Sequence, residues 1–324
     1  MPVTARLVGR FGSARMTQVT TGILCFVIAL PALAGSAVTL AICLFVYGAA
    51  AGAMDVAMNT QAVEVEAGMG RPVMVGFHAL FSFGGMIGAM AGGAAAKWGM
   101  EPLVNLGGIG LAMLLLTAVV IRQLIPDRHI QAAETGGFRD LVLPLAGLGV
   151  VAFCILLGEG AMADWSAVYL SQFAGLAVAP LGYAVFSLMM AMGRLSGDWF
   201  HAQLGAAATV RWGSALATAG LVGGLIVGTT TSTLVGFACV GFGFSAIFPI
   251  VCSVAGANAG NRPQQGVAAV SMTGYLGFLV GPPLIGFLAQ VYSLRLALGL
   301  VAVMSGLTAS MAGIVRPHRR PRES

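Results

Sequence analysis

The sequence predicts an all-α, polytopic membrane protein with about ten transmembrane helices in two pseudo-symmetric bundles. Three observations lead there. First, 58% of its 324 residues are hydrophobic and 8% are charged, whereas a soluble domain carries about 25% charged residues to cover its surface. Second, the apolar residues gather into ten runs, at 17–35, 37–62, 73–96, 102–125, 141–171, 176–197, 210–230, 232–256, 266–290 and 294–315. Each approaches or exceeds the roughly 20 residues that cross a bilayer as a helix. Third, the basic residues are sorted by side. With the N-terminus inside, only Lys97 and Arg295 of the 16 lysines and arginines fall outside, which fixes the orientation by the positive-inside rule. The net charge of +5 is spread by topology and forms no patch, so a nucleic-acid partner is excluded and the lipid bilayer is the expected one.

The runs follow in order. Arg6, Arg10 and Arg15 precede the first, which ends in Ala32-Leu33-Ala34 and has the outline of a cleavable signal peptide; the repeat described below treats it instead as an ordinary span. The second run holds Asp55 and Asn59, with Glu64 and Glu66 beyond them, expected to be solvated or paired with Arg71. The third holds His78 and the glycines Gly84, Gly85, Gly88, Gly92 and Gly93. Their four-residue spacing predicts close packing of helix backbones. Residues 127–140 are polar and read as the cytoplasmic loop between the bundle 1–126 and the bundle 141–315, with a basic tail at 316–324. The fifth run carries Glu159 between Gly158 and Gly160, then Asp164, Trp165 and Tyr169. Gly281-Pro282-Pro283 interrupts the ninth, where proline removes helix hydrogen bonds and predicts a kink.

An internal repeat underlies the two bundles. Gly12, Gly35, Gly48, Gly84, Gly88 and Gly93 each recur 193 residues later, at Gly205, Gly228, Gly241, Gly277, Gly281 and Gly286. Arg71-Pro72 and Arg262-Pro263 lie between adjacent runs at an offset of 191. The offset aligns runs one to four with runs seven to ten and leaves runs five and six unmatched. The expectation is a twelve-span architecture lacking its first two spans, through a miscalled start or a true truncation.

Asp55 is the sharpest chemical signal. A carboxylate at bilayer depth costs roughly 2.5–3.5 kcal/mol on the insertion scale, and such residues mark ion, proton or solute pathways. Asn59, four residues on, shares its helix face, and His78 is placed to share a proton near neutral pH. Glu159 and Asp164 stand about 140° apart on a regular helix, so only a bend at the flanking glycines would aim both into one cavity. Trp165 is either an interface aromatic or a stacking surface for a polar solute. Arg10 with Gly12, and Gly193, Arg194, Asp198 and Gly205, occupy corresponding cytoplasmic ends and predict a gate between the bundles. The five cysteines lie in apolar runs without metal-ligand spacing. No nucleotide loop, hydrolase motif or metal cluster is present in the sequence, so no catalytic residue, cofactor or metal is expected, and active transport would have to run on an ion gradient.

On these residues the chain resembles the major facilitator superfamily, over essentially its whole length less the first two helices of that fold. Arg6 to Arg15 and Gly193 to Gly205 look like the superfamily's cytoplasmic motif. The first copy lacks the usual aspartate; the second keeps Asp198 but has no basic run after Gly205. Asp55 to Gln61, His78 to Gly88 and Glu159 to Leu170 are similar to the fucose-permease-like and rhizopine-transport-protein-like branch. The resemblance implies proton coupling at Asp55, with Asn59 beside the solute. The expectation is a non-enzymatic, proton-coupled transporter of a small polar solute, sugar- or polyol-like, in a bacterial inner membrane with both termini cytoplasmic. Sodium as coupling ion, efflux of drugs or metabolites, and an inactive truncated member remain open alternatives.

Overall fold

The structure, a computed structural model, describes residues 2–125, 138–175, 178–260 and 262–316. Its helices are α1 (Pro2–Phe11), α2 (Ser13–Val27), α3 (Ala37–Met69), α4 (Met74–Lys97), α5 (Pro102–Val120), α6 (Phe138–Ala174), α7 (Pro180–Leu204), α8 (Ala206–Val227), α9 (Thr230–Phe244), α10 (Ile247–Asn258), α11 (Pro263–Val291) and α12 (Leu294–Met311). Among the described residues, eight helical segments are long and apolar enough to cross a membrane, α9 and α10 forming one of them. The helices α4 and α7 hold the places of the other two expected spans. Most of the loop foreseen at 127–140 and most of the tail at 316–324 lie outside the described residues.

The helix boundaries have local causes. Pro102, Pro180 and Pro263 open α5, α7 and α11, where the missing N–H costs nothing and φ is already helical. Ser36 caps α3 reciprocally with Thr39, and Thr229 caps α9 in the same way with Ser232. Gly70 and Gly228 end α3 and α8 in the left-handed region, at φ 63° and 68°.

Apart from Val75, the largest buried apolar cluster draws its residues from 145–315. There α6 lies along α11, and α8 lies between α9 and α12. The α6–α11 seam is built on glycine: a Cβ at Gly277 or Gly281 would run into the carbonyl oxygens of Phe153 and Leu157. Backbones this close are how apolar helices associate where lipid competes for every side chain. In the first half α2 packs on α3 and α5. The halves meet where α4 lies on α7, α11 on α1 and α3, and α10 on α3 and α4.

Two expectations are corrected. Among the described residues a Cβ at Gly84 or Gly88 would meet nothing within 4 Å, so the close packing foreseen there has no partner among them. The helix α6 runs without interruption through Gly158 and Gly160, so no bend turns Glu159 and Asp164 toward one point.

Candidate functional site

A polar network sits at the junction of the halves, built from α3, α4, α6, α7 and α11. It starts at Asp55. Its Oδ1 accepts from Asn59 Nδ2 at 2.9 Å, and the same amide also donates to the Asp55 carbonyl at 3.0 Å. Four-residue spacing puts the two side chains on one helix face, and the carboxamide thereby fixes the carboxylate. Asn59 is 2% exposed. Its Oδ1 lies 3.1 Å from His78 Nε2 on α4, which brings the histidine next to the pair. The other oxygen of Asp55, Oδ2, is buried and makes no hydrogen bond among the described residues. Ser271 and Tyr275 of α11 lie beside this carboxylate. They are four residues apart, so one face of α11 presents both hydroxyls.

The network continues across the halves. Ser82 Oγ, one turn beyond His78, donates to the His78 carbonyl at 3.2 Å and accepts from Arg194 Nη1 at 2.6 Å. Arg194 belongs to α7 in the second half. Its Nε donates to the Ser245 carbonyl at 3.4 Å, an oxygen with a local reason to be free. Pro249 stands four residues later and has no N–H to give it. Arg194 Nη2 lies 4.0 Å from Glu159 Oε2, and Glu159 Oε1 is buried without a partner among the described residues.

These contacts revise the sequence expectations. Arg194, foreseen as part of an end gate, turns inward to Ser82 and Glu159. Asp164 is exposed and stands apart from the network, because five residues of regular helix carry it off the face that holds Glu159. Trp165 gives its single donor to the Pro282 carbonyl of α11 at 2.9 Å, tying α6 to α11. Tyr169 is a core residue packed on Phe173 and Phe237. Ser82, Ser271 and Tyr275 were not foreseen. The one sequence signal for the last two was their i, i+4 spacing, the same as that of Asp55 and Asn59.

A second cluster closes the end of the molecule where α4 begins and α7 finishes. The leading amides of α4 lack carbonyl partners within the helix, and two carboxylates take them. Glu66 Oε2 accepts from Val73 N at 2.9 Å and Met74 N at 3.0 Å, and its Oε1 accepts from Ser253 on α10. Asp198 accepts from Val75 N at 3.0 Å and Gly76 N at 2.7 Å. Negative charge at a helix N-terminus is favourable on dipole grounds as well. Glu66 is therefore a helix cap that also reaches the second half, and the solvated or Arg71-paired role is corrected. Asp198 ties α7 to α4 across the halves, and Gly197 lets α7 approach Val75. Gly12 and Gly205 turn α1 into α2 and α7 into α8 with matching backbones, φ 88° ψ 152° and φ 78° ψ 164°. Gly193 lies against Ser245. Arg10 is exposed with its guanidinium 5.3 Å from the Phe11 ring centroid, so that half of the foreseen gate forms no bridge among the described contacts.

Among the described residues no cluster of three or more His, Cys, Asp or Glu side chains is arranged to hold a metal ion. The arrangement as a whole gathers a carboxylate, a carboxamide, an imidazole and hydroxyl groups where the halves meet, with Arg194–Ser82 and Asp198 tying one half to the other.

The family model for the Major Facilitator Superfamily matches residues 1–265. An uncharacterized MFS-type transporter of Yersinia pestis is 36% identical over 321 residues, covering 97% of this chain and 82% of its own length. The membrane protein MosC of Rhizobium meliloti is 31% identical over 319 residues, covering 95% of this chain and 76% of its own. Among solved structures, the fucose:proton symporter FucP of E. coli superposes with a TM-score of 0.76 at 16% identity, covering 97% of this chain and 86% of that one.

Proposed function

The chain belongs to the major facilitator superfamily and is a secondary transporter, not an enzyme; from that premise we propose that it moves a small polar solute, sugar- or polyol-like, coupled to protons. One observation carries this reading: Asp55, held by Asn59 and followed by His78, keeps its second carboxylate oxygen buried beside the hydroxyls of Ser271 and Tyr275 where the halves meet. A lone acid in hydrocarbon is expensive to retain, and the neutral form relieves that cost. Loading and releasing a proton there changes the charge of the junction itself. The surrounding Asn59, His78, Ser271 and Tyr275 supply donors and acceptors suited to hydroxyl groups. FucP, by its description a fucose:proton symporter, is an example of the fold performing such a task.

In this reading residues 1–126 and 141–315 form two bundles that rock about the network. Asp198 and Glu66 hold one end shut, and that end faces the cytoplasm of a bacterial inner membrane, in keeping with the basic residues near it. The test is uptake into proteoliposomes under an imposed pH gradient, with a panel of labelled sugars and polyols. Asp55→Asn should abolish accumulation of the transported compound and spare its exchange down a gradient. Undiminished accumulation in that variant removes Asp55 from the mechanism. Accumulation that follows a sodium gradient instead of a pH gradient reassigns the ion.

A further inference from the structure

Arg194 is tied to both halves at once. It is 11% exposed, and a guanidinium stays charged in any protein environment. A buried charge of this kind requires an acceptor in every conformation the protein visits. Here its Nη1 holds Ser82 of the first half at 2.6 Å. Its Nη2 stands 4.0 Å from Glu159 of its own half, beyond hydrogen-bond length. Glu159 is thus an acceptor left largely unused, with Oε1 wholly unpaired among the described residues.

The position on α7 matters. Arg194 and Asp198 are four residues apart and share a face. Both reach α4, Asp198 at Val75 and Gly76 and Arg194 at Ser82. Movement of α4 away from α7 breaks both contacts together, whereas Glu159 and Ser245 belong to the same half as Arg194. We propose that Arg194 is the positioning residue that links the central site to separation of the halves, holding Ser82 while they are closed and closing onto Glu159 when they part. This rests on the rocking-transporter reading above. The exchange keeps the guanidinium paired on both sides of the movement. It also touches the central site, because Ser82 bonds the carbonyl of His78, whose ring meets Asn59 beside Asp55. The other groups facing this set are His78 and Ser82 on α4, Ser245 after α9, Cys252 on α10 and Ser271 on α11.

The test needs no identified solute. Spin labels at the exposed Arg71 and Leu204, in a background with the five cysteines replaced, report the distance between the halves by pulsed dipolar spectroscopy in lipid nanodiscs. Ser82→Ala removes the closed-state tie and should shift the population toward the longer distance. Glu159→Gln weakens the open-state partner and should shift it the other way. Each shift should be about tenfold in the ratio, the scale of one charge-assisted hydrogen bond. Arg194→Lys keeps the charge and loses the fork, so it should weaken both ties. Shifts of the same sign, or none while the wild type still shows two distances, overturn the role of Arg194. A single unchanging distance in the wild type and every variant overturns the rocking reading itself.

Discussion

The two halves of the molecule share turns and differ in contacts. Gly12 and Gly205 adopt the same backbone conformation, and the capping pair Ser36–Thr39 recurs as Thr229–Ser232. The glycines inside the helices have parted company. At Gly241, Gly277 and Gly281 a Cβ would meet the carbonyl oxygens of Phe186, Phe153 and Leu157; at their counterparts Gly48, Gly84 and Gly88 it would meet nothing within 4 Å among the described residues. The partners in the second half are α6 and the outer part of α7. Among the described residues of the first half, α1 matches only the last ten residues of α7, and no helix matches α6. A turn depends on its own few residues, whereas a packing face depends on what lies against it.

The largest effects should come from breaking that contrast. Gly241→Ala, Gly277→Ala and Gly281→Ala each drive a methyl into backbone, which cannot rotate away. A loss of about 2–3 kcal/mol per site is expected, the upper part of the overpacking range, read as a lowered unfolding midpoint in mild detergent. Gly48→Ala, Gly84→Ala and Gly88→Ala should be neutral or stabilising by up to about 1 kcal/mol, since alanine is the better helix former. Equal costs in the two sets would mean that the first-half faces are packed after all.

The end latch sharpens the contrast at a smaller scale. Asp198 has Ala5 as its counterpart, 1% exposed and packed with Val56 and Ala268. Asp198→Asn removes the charge from two amide contacts and should cost the closed end about 1–2 kcal/mol, measured as a rise in the open population with the same spin-label pair. Ala5→Asp should not create a matching latch. The α11 amides of Gln265 and Gly266 already bond the Arg262 carbonyl, so these two are not free to receive a new carboxylate as Val75 and Gly76 receive Asp198. Lower stability with no gain in closure is the expected outcome; a tighter closed state would show that the two ends are interchangeable.

What could be read from the sequence follows the same division. The ten runs, the glycine turns and the Asp55–Asn59 pair rest on spacing along one chain, and the structure shows helices, turns and a hydrogen bond there. Helix arithmetic also separated Glu159 from Asp164, and they face different ways. Relations between helices were not legible. Nothing local says that Arg194 turns to Ser82 and Glu159 and not to the end, that Glu66 caps α4, or that Trp165 reaches Pro282. Each depends on which faces meet and at what depth. Pro249 was the overlooked local clue, since it frees the carbonyl that Arg194 uses.

The smallest effect tests the shared part of the comparison. Ser36 and Thr229 each accept from the amide three residues on, Thr39 at 3.2 Å and Ser232 at 3.2 Å, and each receives a side-chain oxygen at its own amide, at 2.9 Å and 3.1 Å. Both caps are exposed, so water replaces part of what is lost when either is removed. Ser36→Ala and Thr229→Ala should each cost about 1 kcal/mol, with the two values close to each other, because the geometry is the same and the hydroxyls of Ser36 and Thr229 bond within their own caps. Their equality is the informative result, measured as the paired shift in unfolding midpoint. A cap that mattered much more in the second half than in the first would mean that even these turns take their stability from the packing around them, and the division between local turns and partner-dependent faces would fail.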